Sequence, residues 1–231
     1  MNSLTKAFII FIFYQVIQLQ NCFSETLNPD PKRFAQSFKR FSILDKNSSL
    51  QRDELFLFTG SSSIRMWESL ASDFSETNLI NRGFGGAHIS DLLYFYDQLF
   101  TRYLPSRIIL YCGENDLWSG KKVNQVKKDF DLLWSKIKKD LPRTNVVYLS
   151  CKPSPKRISK WNTYQSLNLR IKNLAQRDNR LIYIDISPTL LRPNLKFYPG
   201  LWKDDDLHLN QAGYDRWAAW IRPILKLNYK F

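Results

Sequence analysis

Short apolar runs punctuate the chain at Leu55 to Thr59, Leu79 to Asn81, Arg107 to Cys112, Val146 to Ser150 and Leu181 to Ile186. Each has strand length and most end in turn residues, so the pattern predicts five β-strands. Between and after them apolar positions recur at helical spacing, around Trp67, from Ser90 to Tyr103, from Val123 to Leu141, from Lys160 to Gln176 and from Gln211 to Leu225. Ahead of the first strand, Phe34, Phe38, Phe41 and Leu44 predict an amphipathic helix from Phe34 to Asp45. Strands alternating with helices imply right-handed crossovers and a parallel sheet covered on both faces. Ligands of such sheets bind at the carboxyl ends of the strands, which is where chemistry is to be sought. Residues 34–231 read as one domain, and the mostly polar stretch 25–33, with Asn28-Pro29, as a linker.

The first 24 residues follow another logic. Lys6 is their only charged side chain; an apolar run from Ala7 to Ile17, interrupted at Tyr14 and Gln15, follows it, and then a mostly polar stretch to Ser24. That layout predicts an export signal, the run being short for a membrane span. Cleavage after Ser24 leaves a secreted or periplasmic chain, whereas Leu19-Gln20-Asn21-Cys22 is a loose lipobox that would leave a lipid anchor, and so a membrane association, at Cys22.

Composition narrows the remainder. Of 231 residues, 44% are hydrophobic and 24% charged, with 8 Gly and 10 Pro, which excludes a disordered, collagen-like or multi-span membrane protein. The net charge is +13, and loss of Lys6 with the first 24 residues leaves +12 (13 minus 1) on the folded part. No zinc-finger spacing, aromatic RNA-binding string or long basic run accompanies it, so nucleic acid is not the expected partner. The basic clusters Lys121-Lys122 to Lys139 and Lys152 to Lys160 read as solvated surface. Three cysteines without a C-x-x-C give neither a disulfide framework nor a metal signature; Cys112 and Cys151 end neighbouring predicted strands and are expected as two buried thiols, with a pairing in an oxidising compartment as the alternative. No cofactor or metal is expected, and nothing speaks to the oligomeric state.

Four blocks carry the candidate chemistry. The first strand runs into Gly60-Ser61-Ser62-Ser63, where hydroxyls at a strand-to-helix turn suit a nucleophile or a helix cap. No Gly-Lys-Ser/Thr and no G-x-S-x-G is present. After the second strand, Asn81-Arg82-Gly83-Phe84-Gly85-Gly86 allows a sharp turn or a backbone oxyanion donor, without the G-x-G-x-x-G of dinucleotide sites. The third ends in Gly113-Glu114-Asn115-Asp116, where the Asn115 amide can donate to a developing oxyanion without titrating, while the flanking carboxylates would repel it. Before the last helix, His208 follows Asp205 by three positions, close enough for the carboxylate to hold one imidazole tautomer. The only other histidine, His88, lies at a predicted helix start and has no such partner. Two further residues are candidate substrate contacts: Arg157 for an anionic group, and Trp202 in the aromatic-rich stretch Phe197 to Trp202.

Through these four blocks, in this order, the chain from about Phe34 to Leu225 resembles the GDSL-type (SGNH) serine hydrolases, with Ser61 where the family's Gly-Asp-Ser block has Asp. The resemblance implies a three-layer α/β/α sandwich of flavodoxin-like type with a five-stranded parallel sheet. It implies Ser62 as nucleophile, His208 as base, Asp205 as its orienter, and the Ser62 and Gly86 amides with the Asn115 side chain as oxyanion donors. The implied activity is hydrolysis of a short acyl, sugar acetyl or lysolipid ester through an acyl-enzyme. A degenerate carbohydrate- or lipid-binding protein on the same fold is the alternative.

Overall fold

The computed structural model describes residues 28–46 and 53–227. The expected export signal, Cys22 and the first part of the linker lie outside the described residues. From Pro29 on, the linker gives way to a 3-10 turn, Pro31–Phe34, capped by the Asp30 carboxylate on the Lys32 N–H at 2.9 Å. The first helix follows it directly, Ala35–Lys46.

The sheet has five parallel strands: β1 (Phe56–Gly60), β2 (Leu79–Gly83), β3 (Arg107–Tyr111), β4 (Asn145–Leu149) and β5 (Leu181–Ile184), in the order β2-β1-β3-β4-β5. Strand side chains alternate between two cores, as the pleat requires. Leu57, Ile108, Leu110, Val146 and Tyr148 face the layer containing Ala35–Lys46, Ile89–Tyr94, Val123–Asp140 and Trp161–Ala175. Phe56, Phe58, Ile109, Tyr111, Val147 and Leu149 face the layer of Trp67 and the final helix, Gln211–Leu227. This is the expected three-layer α/β/α sandwich.

Where elements depart from expectation, local chemistry explains it. β2 extends two residues past Asn81 because Arg82 is buried there, donating to Asp45 at 2.5 Å and to the Tyr103 hydroxyl at 2.9 Å. The pattern around Trp67 resolves into two single turns, Ser62–Arg65 and Leu70–Asp73, with the indole packed between them against Phe58, Phe74, Tyr214 and Trp217. The stretch Ser90 to Tyr103 is a helix, Ile89–Tyr94, followed by a π-helical turn, Asp97–Thr101. The basic clusters are not solvated throughout: Lys121 and Lys152 are buried and ion-paired.

Candidate active site

β1 delivers the serines. Gly60 ends it at φ +117, and a Cβ there would sit 1.9 Å from the Tyr111 carbonyl oxygen, so the turn into Ser61-Ser62-Ser63 requires glycine. The Ser61 N–H donates to that same carbonyl at 2.9 Å. Ser61 and Ser63 are buried, whereas Ser62, the first residue of the following turn, is half-buried and reaches the surface. Of the three hydroxyls, it is the Ser62 Oγ that meets an imidazole, lying 2.9 Å from His208 Nε2.

The imidazole comes from the opposite end of the chain. Asp205 Oδ1 accepts from the Leu207 and His208 N–H groups at 3.0 and 2.9 Å, folding 205–208 into a tight turn. Asp205 Oδ2 lies 2.5 Å from His208 Nδ1. A carboxylate only accepts, so Nδ1 carries the proton and Nε2 is left to accept from Ser62. Burial works against the Asp205 charge, but the His208 and Leu207 amides and the imidazole hold the carboxyl well below its usual range. The turn is anchored at both ends. The Lys203 N–H donates to the His208 carbonyl at 2.8 Å, the Asn210 amide donates to the Gly200 and Trp202 carbonyls, and the Tyr214 hydroxyl ties the final helix to the Ser63 carbonyl at 2.9 Å.

The two other oxyanion candidates are tied to each other. Asn115, in the short helix Glu114–Trp118 after β3, donates from Nδ2 to the Ala87 carbonyl at 3.2 Å. That carbonyl follows Gly86, which takes φ +81 with nothing within 4 Å of the position a Cβ would occupy, leaving its backbone open on that side. The loop is held from beneath by Asp116, which accepts the Ile89 N–H at 3.2 Å and pairs with buried Lys121 at 3.0 Å.

Both carboxylates beside Asn115 are engaged by other groups of the protein. Asp116 is spent on Ile89 and Lys121. Glu114 is gripped by Lys152 Nζ at 3.2 Å, Arg157 Nη1 at 3.0 Å and the Tyr111 hydroxyl. Burial pushes the Glu114 carboxyl up, but the Lys152 and Arg157 cations outweigh it and keep the group ionised. Sequence reasoning missed this cluster, because Tyr111, Lys152 and Arg157 look unrelated along the chain.

The two candidate substrate contacts fare differently. Arg157 is engaged from within the protein: Nη1 donates to both Glu114 Oε1 and Asn115 Oδ1 at 3.0 Å, and the guanidinium lies 4.9 Å from the Trp118 ring centroid. Trp202 is half-buried, edge-on to Phe197 at 5.6 Å and 5.7 Å from Lys152 Nζ, and its buried Nε1 has no partner among the described residues. Cys112 and Cys151 are both buried free thiols. Among the described residues no group of His, Cys, Asp and Glu has the makings of a metal site.

Comparison with known proteins places the fold in context. A similar structure is that of a Streptococcus pneumonia protein assigned as a platelet activating factor, with a TM-score of 0.73 at 20% identity over 92% of this chain and 99% of that one. A GDSL-like lipase from Bacteroides thetaiotaomicron gives a TM-score of 0.69 at 21% identity, over 88% of this chain and 100% of that one. An acetyl-xylooligosaccharide esterase from Geobacillus gives 0.61 at 15% identity, over 76% and 95%. No curated protein matches the chain. The sequence model of one family spans residues 55–216, from the start of β1 into the final helix. On that match the chain belongs to the GDSL-like lipase/acylhydrolase family and is a hydrolase of ester bonds.

Proposed function

We propose that the protein hydrolyses carboxylic esters by a Ser-His-Asp mechanism, with a short acyl, sugar acetyl or lysolipid ester as substrate. The observation that carries this reading is the contact between Ser62 Oγ and His208 Nε2 at 2.9 Å, across 146 positions of chain, with a carboxylate on the other ring nitrogen.

His208 takes the Ser62 proton as Oγ bonds to the ester carbonyl carbon, and the carbonyl electron pair moves onto its oxygen. That oxyanion is met by the N–H groups of Ser62 and Gly86 and by the Asn115 amide. Collapse of the intermediate breaks the bond to the alcohol, which leaves with the proton from His208. Water, deprotonated by the same imidazole, then releases the acid and restores Ser62. Asp205 keeps the imidazole in one tautomer and stabilises it while charged.

The substrate classes are suggested by two fold neighbours, an acetyl-xylooligosaccharide esterase and a protein assigned as a platelet activating factor. The test compares Ser61→Ala, Ser62→Ala and Ser63→Ala on p-nitrophenyl acetate. Loss confined to Ser62→Ala is expected, and full activity in that variant overturns the assignment. Rates over p-nitrophenyl esters of increasing acyl length, beside acetylated xylose oligomers, then choose among the substrates. Absence of any turnover or fluorophosphonate labelling in the wild type would favour a binding protein that has lost catalysis.

We also propose that residues 1–24 direct export, ending either in cleavage after Ser24 or in lipid attachment at Cys22. Mass spectrometry of the mature chain, with Cys22→Ala beside the wild type, distinguishes the two.

A further inference from the structure

An asparagine amide is nearly symmetric in shape, and turning it over exchanges its carbonyl oxygen for its NH2. Asn115 can donate to an oxyanion only in one of those two orientations. Its neighbours select that orientation because each has a single, fixed character. The Ala87 carbonyl can only accept and faces Nδ2 at 3.2 Å, while the Arg157 guanidinium can only donate and faces Oδ1 at 3.0 Å. The reverse orientation would set carbonyl against carbonyl and NH2 against guanidinium. The observed one satisfies both partners and leaves the second Nδ2 proton unclaimed by either.

Arg157 is itself held in place. Its Nη1 is shared with Glu114 Oε1 at 3.0 Å, its guanidinium lies over Trp118, and the Lys156 N–H donates to the Asp206 carbonyl at 3.0 Å, tying this segment to the Asp205–His208 turn. Side-chain exposure is 12% for Arg157, 5% for Glu114 and 1% for Lys152, so the cluster is shielded from water. Donation into Oδ1 draws electron density from the amide and strengthens its N–H groups as donors.

We propose that Arg157 is a positioning residue of the ester hydrolase, acting through Asn115: it locks and polarises the amide that meets the oxyanion, instead of contacting the substrate. This rests on the role proposed above for Asn115. The two ideas separate in a double-mutant cycle using Asn115→Ala, Arg157→Met, Arg157→Lys and the paired variants, with neutral p-nitrophenyl acetate as substrate and rates divided by the sites that a fluorophosphonate titrates at completion.

Arg157→Met is expected to lower kcat by on the order of 10- to 100-fold, the scale of a misplaced catalytic group, with KM little changed. Arg157→Lys keeps the charge without the planar fork and should recover part of that loss. In the Asn115→Ala background, removing Arg157 should do nothing more. An equal loss in both backgrounds, a loss confined to KM, or a loss that vanishes once rates are divided by titrated sites would each overturn the proposal. If Arg157→Met does not fold, the cycle with Arg157→Lys gives the same decision. Full kcat in Asn115→Ala would instead remove the oxyanion role itself, a result distinct from an impaired Asn115→Ala that Arg157 does not modify.

Discussion

The two histidines of the chain show how much surroundings decide what an imidazole does. His88 sits at the start of the Ile89–Tyr94 helix, 4% exposed, with no partner for its Nδ1 among the described residues. Burial, helped by the nearby Lys121 charge, pushes it down to about 4. His208 lies in an exposed turn with its side chain 18% exposed, and both of its ring nitrogens are engaged, one by a carboxylate and the other by a hydroxyl. A proton-transferring imidazole needs a partner on each nitrogen and a path to substrate. Burial with no partner on Nδ1 gives a histidine that stays neutral near pH 7.

The largest effect expected from this contrast is on His208. Its replacement by Ala should cut kcat by roughly 10⁴-fold or more, since removing a triad member leaves only binding and the oxyanion donors. His88→Asn, read on the same ester and per titrated site, should stay near wild type. Loss of similar size in both variants would erase the distinction.

Asp205→Asn comes next. It removes the acceptor that fixes the tautomer, and kcat should fall by on the order of 10² to 10⁴. Because the Asp205 carboxyl is held well below 3.8, it stays ionised through mildly acidic pH, so any acid limb of the wild-type profile above pH 4 must come from another group. Removing the Asn115 amide by substitution with Ala should cost about 10² to 10³ in kcat, or about 3 to 4 kcal/mol, with the triad intact.

The smallest effect is on stability and belongs to His88. Above pH 6.5 it is neutral both folded and unfolded and contributes no pH dependence. As pH falls, the unfolded chain takes up a proton near 6.5 that the folded chain refuses until about 4, so stability declines through that window by at most about 3 kcal/mol. Urea unfolding at pH 7.5 and pH 4.5 should show the wild type losing more stability than His88→Asn over the same interval. Parallel losses would mean that His88 is not the group responsible.

The same division between local and distant pairing explains what the sequence alone revealed. Five strands were legible because runs such as Ile108-Ile109-Leu110 are apolar on both faces, a pattern few other elements share. β2 was read short because Arg82 looks like the end of a strand, and only its pairing with Asp45, far back in the first helix, makes it an interior residue. Asp205 and His208 could be read as a pair because three residues of chain bring them together, whereas the approach of Ser62 to His208 required a family resemblance to suggest it. The Glu114, Lys152 and Arg157 cluster had no local signature at all. Charged residues are assumed to be solvated, and nothing in the spacing of Lys152 or Arg157 announces a buried carboxylate 38 and 43 positions earlier. For the same reason the spacing of Arg157 suggests a substrate contact and not the Nη1 contacts it makes with Glu114 and Asn115.

The central claim is that one serine of three is activated by His208, and covalent labelling addresses it most directly. Treatment of the wild type with a fluorophosphonate, followed by peptide mapping by mass spectrometry, should place a single adduct on Ser62, and the same adduct should form at least ~10³-fold more slowly in His208→Ala. An adduct on Ser61 or Ser63, or undiminished labelling without the imidazole, would contradict the account.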